Sequence, residues 1–207
     1  MSAALTLSSV TKRFGGLTVI DDVSFDIEQG SRSALIGPNG AGKTTIFNLL
    51  SGIYEVNGGK MILDGVDITD VPSRDRINFG MSRSFQNIRL MPHLSTVENV
   101  MLGQHHLATS FKDIFYPIGL RPKNKWAEQA RAALSEAGLD TYAGQVVSEL
   151  PYGVQKRIEV VRALMSDPKL LLLDEPAAGL NAAETNELQA LLEKVSASGT
   201  TLLVVEH

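Results

Sequence analysis

Ser33-Ala34-Leu35-Ile36-Gly37-Pro38-Asn39-Gly40-Ala41-Gly42-Lys43-Thr44-Thr45-Ile46-Phe47 decides the fold. A short apolar run leads into a glycine-rich loop that ends in Lys-Thr, and a helix-patterned segment through Leu50 follows. That is the strand–loop–helix order of a phosphate loop. The glycines let successive backbone N–H groups curl around phosphate oxygens, and the helix N-terminus adds partial positive charge. Gly37, Pro38, Asn39, Gly40, Ala41, Gly42, Lys43, Thr44 and Thr45 are therefore candidate nucleotide contacts. Lys43 is expected to reach the β- and γ-phosphates, and the Thr44 hydroxyl to ligate Mg²⁺. The alternative is a chance glycine-rich turn. By residue frequency the bare pattern arises in on the order of 1% of chains this long, and the flanking strand and helix lower that further.

The second half of such a site stands far along the chain, at Leu170-Leu171-Leu172-Leu173-Asp174-Glu175. A buried strand ending in a carboxylate is a rigid mount for a metal-side group. Asp174 is expected to hold Mg²⁺ through water, and Glu175 to polarise the attacking water. Two surface acids at a strand end are the alternative reading, and the phosphate loop argues against it.

Composition narrows the classes. The 207 residues are 43% hydrophobic and 20% charged, which excludes disordered and low-complexity chains. With 19 Lys+Arg against 23 Asp+Glu the net charge is −4, without the basic surplus of a nucleic-acid binder. There are no cysteines, so disulfides, thiolate zinc sites and cysteine nucleophiles are excluded. The N-terminus lacks the basic start and apolar core of a secretory signal. No apolar run approaches the ~18–20 residues of a membrane span. The expectation is a soluble chain that meets membranes only through partners.

Coarse patterning places the remaining elements. Val23–Glu28 alternates as a strand with one wet face, and Gln29-Gly30 turns into Ser33–Ile36, a strand expected to be buried on both faces. Met61–Ile68 reads as a hairpin turning at Asp64-Gly65. Ser95-Thr96-Val97-Glu98 has capping-box spacing, and Trp126, Ala130, Ala133, Leu134 and Ala137 share one helix face ending at Gly138. The stretch from His105 to Lys125, with Pro117 and Pro122, reads as a loop. Val154, Ile158, Val161 and Met165 mark another helix stripe. Asn181 with Glu184 caps a helix carrying Leu188, Leu191, Leu192 and Val195, before a buried strand at Thr201–Val205. Strand–helix–strand alternation with short links implies a parallel sheet.

The phosphate loop, Gln86 after a strand, Leu150-Pro151-Tyr152-Gly153-Val154-Gln155, the Asp174-Glu175 pair and the terminal His207 occur in the order found in ATP-binding cassette (ABC) ATPases, which the chain resembles over nearly its whole length. Ser84-Phe85-Gln86-Asn87-Ile88-Arg89-Leu90 and Asp174-Glu175-Pro176-Ala177-Ala178-Gly179-Leu180-Asn181 more narrowly resemble the ATP-binding subunits of branched-chain amino acid importers. The resemblance implies an α/β P-loop NTPase fold forming one domain over 1–207. It has a RecA-like parallel-sheet core (1–86 and 151–207), an antiparallel β subdomain and an inserted helical subdomain (87–150). It also implies a C-terminus cut short after His207, where such proteins continue through a further helix and strands.

Site roles follow from the same resemblance. Phe14 stands where such proteins stack an aromatic on adenine, with a core or loop-anchoring residue as the alternative. Gln86 would touch Mg²⁺ and the attacking water, and His207 would contact the γ-phosphate and assist Glu175. Two such ATPases close face to face around two ATP molecules. Leu150, Pro151, Tyr152 and Gly153 would thus meet the nucleotide on the partner's phosphate loop, and Asn181 would cross the same interface. Family members usually read Leu-Ser-Gly-Gly-Gln there. Here Pro151 removes a hydroxyl and a backbone N–H, Tyr152 replaces glycine and Val154 replaces glutamine. That departure favours a heterodimer with unequal sites.

The expected function is an ATP-hydrolysing motor on the cytoplasmic face of the inner membrane. It would power uptake of branched-chain or related amino acids with two transmembrane permease subunits, a second ABC ATPase and an external solute-binding protein, and with no nucleic acid. Leu90, Met91 and Leu94 are candidates for a permease-facing groove, or for packing within the subdomain. His93, His105 and His106 match no motif position. A lipid or lipopolysaccharide exporter ATPase shares much of the pattern and stays open. Non-transport ABC ATPases of ribosomes or DNA generally carry two cassettes, a zinc element or basic extensions, which this chain lacks. A small-molecule kinase would not need Gln86, Leu150–Gln155 and His207 in order.

Overall fold

The computed structural model describes residues 3–84, 88–107 and 125–206. In chain order its elements are β1 (Ala3–Phe14), β2 (Leu17–Glu28), β3 (Arg32–Ile36), α1 (Lys43–Leu50), β4 (Gly58–Leu63), β5 (Val66–Asp67), β6 (Met81–Arg83), α2 (Thr96–Met101), α3 (Lys125–Glu136), α4 (Tyr152–Leu164), β7 (Leu170–Asp174), α5 (Ala182–Ala197) and β8 (Thr201–Glu206). Short 3-10 turns, among them Ser73–Phe79 and Leu102–Leu107, link them. Two compact units result. One comprises 1–86, 168–178 and 192–207, and the other 87–167 and 179–191.

The first unit holds two sheets. The antiparallel sheet runs in the order β2-β1-β4-β5 and the parallel sheet in the order β3-β8-β7-β6. The expected Asp64-Gly65 hairpin is present: Leu63 pairs with Val66, and both turn residues have positive φ, 47° and 78°, as a two-residue hairpin of right-twisted strands requires. Leu5, Leu7, Met61 and Leu63 meet Phe47, Leu49 and Leu50 of α1 and Leu170 and Leu172 of β7 in one core. The phosphate-loop helix is thereby clamped between the two sheets.

β3 departs from the expectation of burial on both faces. Among the described residues it pairs with β8 alone, and its residues alternate between half-buried and exposed, with Ile36 77% exposed. β7 lies inside the sheet and is buried throughout, as its continuous leucine run implies.

Arg76, in the 3-10 turn after β5, closes the C-terminal end of α1. Its guanidinium donates to the carbonyl of Leu50, to Val71 O at 3.0 Å and to Thr69 O at 3.4 Å. Burial draws its pKa down to about 10, still far above neutrality, so the cation persists where the helix dipole favours it.

The second unit is helical. α2 starts with the expected capping box: the Ser95 hydroxyl accepts from Glu98 N, and the Glu98 carboxylate accepts from Ser95 N at 2.8 Å. Ala130 and Leu134 of α3, with Val154, Ile158 and Val161 of α4, supply buried positions at the expected helical spacing. α4 belongs to this unit rather than to the sheet-bearing one. Its partners include α2 and α3, and Gly103 lies so close to the Arg162 carbonyl that a Cβ would meet it at 2.0 Å. His105 falls in the 3-10 turn, Leu90 is buried, and Met91 is 51% exposed.

Candidate functional site

Register sets the site. Ile36 of β3 pairs with Glu206 of β8, and Asp174 of β7 pairs with Val205. The loop after β3 and the acids after β7 therefore leave the same carboxyl edge, separated by one strand, or roughly 10 Å. In open parallel sheets, ligands bind at that edge.

The loop itself is built around Lys43. This side chain is 8% exposed, and its ammonium donates back to the carbonyls of Gly37 and of Pro38, the latter at 3.2 Å. The loop is thus curled around its own cation, and Ala41 N donates to Pro38 O at 3.2 Å. Gly42 precedes the first helical residue with φ 88°, and a Cβ there would lie 2.6 Å from Ile20 Cδ1, so only glycine fits. Ile46 N donates to Gly42 O at 2.9 Å and starts the helix.

A cleft of about 480 Å³ opens over this loop, lined by Val19, residues 38–45 and Glu175. Glu175 is one of few non-glycine residues with positive φ, at 46°. Its N–H donates to Val205 O and its carbonyl accepts from Ala178 N, both at 3.1 Å. These bonds hold a conformation that L-residues avoid, and they bring the carboxylate to the cleft.

Asp174, 7% exposed, does not line the cleft wall; its carboxylate is held by Arg83, whose Nη2 donates to Oδ2 at 2.7 Å. The donor chemistry suits Mg²⁺. Thr44 offers a hydroxyl at the cleft and Asp174 a carboxylate behind it, both hard oxygen donors. Among the described residues, no three His or acidic side chains converge. Mg²⁺ is commonly bound by one or two carboxylates together with substrate phosphates, rather than by a protein cage.

Phe14 ends β1 and is 42% exposed. Its ring meets Tyr54 edge to face, with centroids 5.1 Å apart, and Lys12 Nζ sits 5.0 Å from the Phe14 centroid while donating to Glu55 O at 2.6 Å. The aromatic is therefore braced and partly exposed, unlike a core residue.

The Leu150–Gly153 stretch lies in the other unit. Leu150 is buried, Pro151 precedes the first turn of α4 with φ −55°, and Tyr152 is 44% exposed. Proline is tolerated there because helix-start N–H groups lack intrahelical partners. Gly153 leaves room for Glu184, whose Cδ would lie 2.6 Å from a Cβ. Glu184 accepts from Asn181 N, and Asn181 Oδ1 accepts from Glu184 N, both at 3.0 Å: the expected cap of α5. Gln86 and His207 lie outside the described residues, as does the side chain of His106.

Sequence reasoning missed Arg83, Tyr54 and Lys12. A lone arginine inside the short strand Met81-Ser82-Arg83 was the available signal, because a buried guanidinium must find acceptors.

A parallel sheet with a phosphate loop and a strand-end acid pair at its carboxyl edge defines a P-loop nucleotide-binding protein. The ABC transporter family profile matches residues 20–178, and the chain belongs to that family. It is 42% identical over 207 residues to the high-affinity branched-chain amino acid transport ATP-binding protein BraF of Pseudomonas aeruginosa, covering 98% of this chain and 81% of that protein. LivG of Escherichia coli K12, of the same description, is 37% identical with the same coverage. The crystal structure of the ADP conformation of MJ1267, an ATP-binding cassette of an ABC transporter, superposes with a TM-score of 0.88 at 28% identity, over all of this chain and 82% of that one. The chain is the ATP-binding subunit of an ABC transporter and hydrolyses ATP for transport. No helix among its described residues is long and apolar enough to cross a membrane.

Proposed function

We propose that this ATPase powers uptake of branched-chain or related amino acids, as one of two unlike ABC ATPases beneath a pair of permease subunits supplied by an external solute-binding protein. It would work at the cytoplasmic face of the inner membrane. The likeness to BraF and LivG over 98% of the chain is the observation that carries the substrate class.

The site's own residues divide the work. Phe14, braced by Tyr54, stacks on adenine. The loop from Gly37 to Thr45 holds the phosphates through its N–H groups, and Lys43 shifts from its carbonyl partners to the β- and γ-oxygens. Thr44, Asp174 and Gln86 would hold Mg²⁺, which would supply positive charge against the phosphates. Glu175 orients and deprotonates the attacking water, with His207 at the γ-phosphate. Leu150, Pro151, Tyr152 and Gly153 meet the nucleotide of the second ATPase, and Asn181 lies beside the crossing. The chain forms one cassette over 1–207, with a catalytic core and a helical subdomain that passes motion to the permeases.

Affinity purification of the full-length protein from native membranes tests this. Two polytopic subunits and a second ABC ATPase are expected, and leucine, isoleucine or valine with the binding protein should stimulate ATPase activity of the reconstituted complex. Ribosomal or DNA-bound partners, or stimulation by lipid alone, would overturn the reading.

A further inference from the structure

Thr44 and Asp174, the two described groups placed beside Mg²⁺, stand on different elements, α1 and β7, so something must fix the distance between them. Arg83 of β6 touches both elements at once. Its Nη2 donates to Asp174 Oδ2 at 2.7 Å, while its Nη1 donates to Asn48 Oδ1 at 2.8 Å and to Ser51 Oγ at 3.0 Å. Ser51 gives its own hydroxyl hydrogen to Phe47 O at 2.5 Å, so its oxygen is left to accept. The guanidinium lies 5.6 Å from the centroid of the Phe47 ring. Asn48 follows Thr44 by one helical turn, on the same face of α1. The pair of Arg83 and Asp174 is nearly buried, with side chains 12% and 9% exposed, so water and salt screen it little.

We propose that Arg83 is a positioning residue of the ATPase site: its fork locks the Asp174 carboxylate to the phosphate-loop helix and thereby sets the affinity of the nucleotide site for Mg²⁺. The inference rests on the placement of Asp174 beside the metal given above. With Oδ2 accepting from Arg83, Oδ1 of the same carboxylate keeps its own acceptor capacity. A guanidinium presents N–H groups in two fixed directions and can span α1 and β7; an ammonium is a single point and cannot hold both at these distances. Simple neutralisation of a buried acid would need only the charge. The lysine substitution separates the two roles.

The experiment measures binding of a fluorescent ATP analogue to the full-length protein, in EDTA and across a Mg²⁺ titration, for the wild type, Arg83→Lys, Asp174→Asn and the double variant. Arg83→Lys should bind within about twofold of wild type in EDTA. It should need roughly tenfold or more Mg²⁺ for half-maximal enhancement, the scale expected when a group supporting a metal ligand is lost. The double variant should match Asp174→Asn alone, because Arg83 acts through that carboxylate. A wild-type Mg²⁺ response in Arg83→Lys, equal weakening with and without Mg²⁺, full additivity with Asp174→Asn, or loss of cooperative melting in Arg83→Lys each overturns the proposal. An unchanged Mg²⁺ response in Asp174→Asn would instead remove Asp174 from the metal, a separate failure.

Discussion

Glu175 is held in a backbone conformation that suits the role proposed for it. Its φ of 46° costs on the order of 1 kcal/mol, and the backbone bonds to Val205 and Ala178 hold it there. The return is a carboxylate at the phosphate-loop cleft that does not depend on a mobile loop. Glu175→Gln keeps shape and hydrogen bonding but removes the base. ATP binding should persist, while turnover falls on the order of a hundredfold or more, in single-turnover assays with saturating Mg-ATP. Wild-type turnover in that variant would remove Glu175 from the role. Lys43→Ala removes the cation that organises the loop, and ATP affinity by calorimetry should weaken roughly tenfold to a hundredfold, as for a lost charge-assisted hydrogen bond. The placement of both at the cleft was legible in the sequence, because glycine-rich loops and strand-end acids are local patterns. The backbone state of Glu175 was not, since it is imposed by β8, thirty positions along. Arg83 was hidden for the same reason: Asn48, Ser51 and Asp174 are assembled only by the fold.

Elements were legible where local chemistry decides them. The boxes at Ser95 and Asn181 satisfy helix-start N–H groups with side chains three residues apart, a spacing visible in any linear reading. Ser95→Ala should lower stability by about 1 kcal/mol at pH 7 in thermal melts. The loss has a pH signature. Hydrogen bonds from the Ser95 hydroxyl and N–H hold the Glu98 carboxyl below its ordinary 4.5. That contribution is present above 4.5 and disappears as pH falls through the lowered folded value. The gap between wild type and Ser95→Ala should therefore narrow in acid; a gap that stays constant to pH 3 would contradict the Ser95–Glu98 exchange. β1 escaped a local reading because its alternation breaks. Leu5 and Leu7 face the core, but Ser9 takes a φ of 50° and the register with β2 shifts between Leu7 and Val10. The bulge moves the apolar set by one position, which erases a period of two.

At the scale of the whole molecule, the cleft with Lys43 and Glu175 and the Leu150–Gly153 stretch belong to different compact units. In the face-to-face pair proposed above they would serve different nucleotides, so defects in one stretch would fall on the partner's site. Pro151 brings neither a hydroxyl nor an N–H to the start of α4, and Tyr152, 44% exposed, fills the place of a glycine. In that pairing the ATP on the second ATPase's phosphate loop would face a signature with fewer donors. The ATP on this chain's loop would face the partner's signature instead. The two sites of a heterodimer should therefore contribute unequally, with most turnover at the loop of residues 37–45. In the reconstituted complex, Glu175→Gln in this chain should remove most ATPase activity, while the equivalent change in the partner should cost less than half. Pro151→Ser, which returns a hydroxyl and a donor at a position the helix start tolerates, should raise the residual activity measured in the Glu175→Gln background, because it mends only the partner's site. Equal losses from the two glutamate changes, or a purified homodimer with full cooperative turnover, would show that Pro151 and Tyr152 leave the signature competent and that the sites are equivalent.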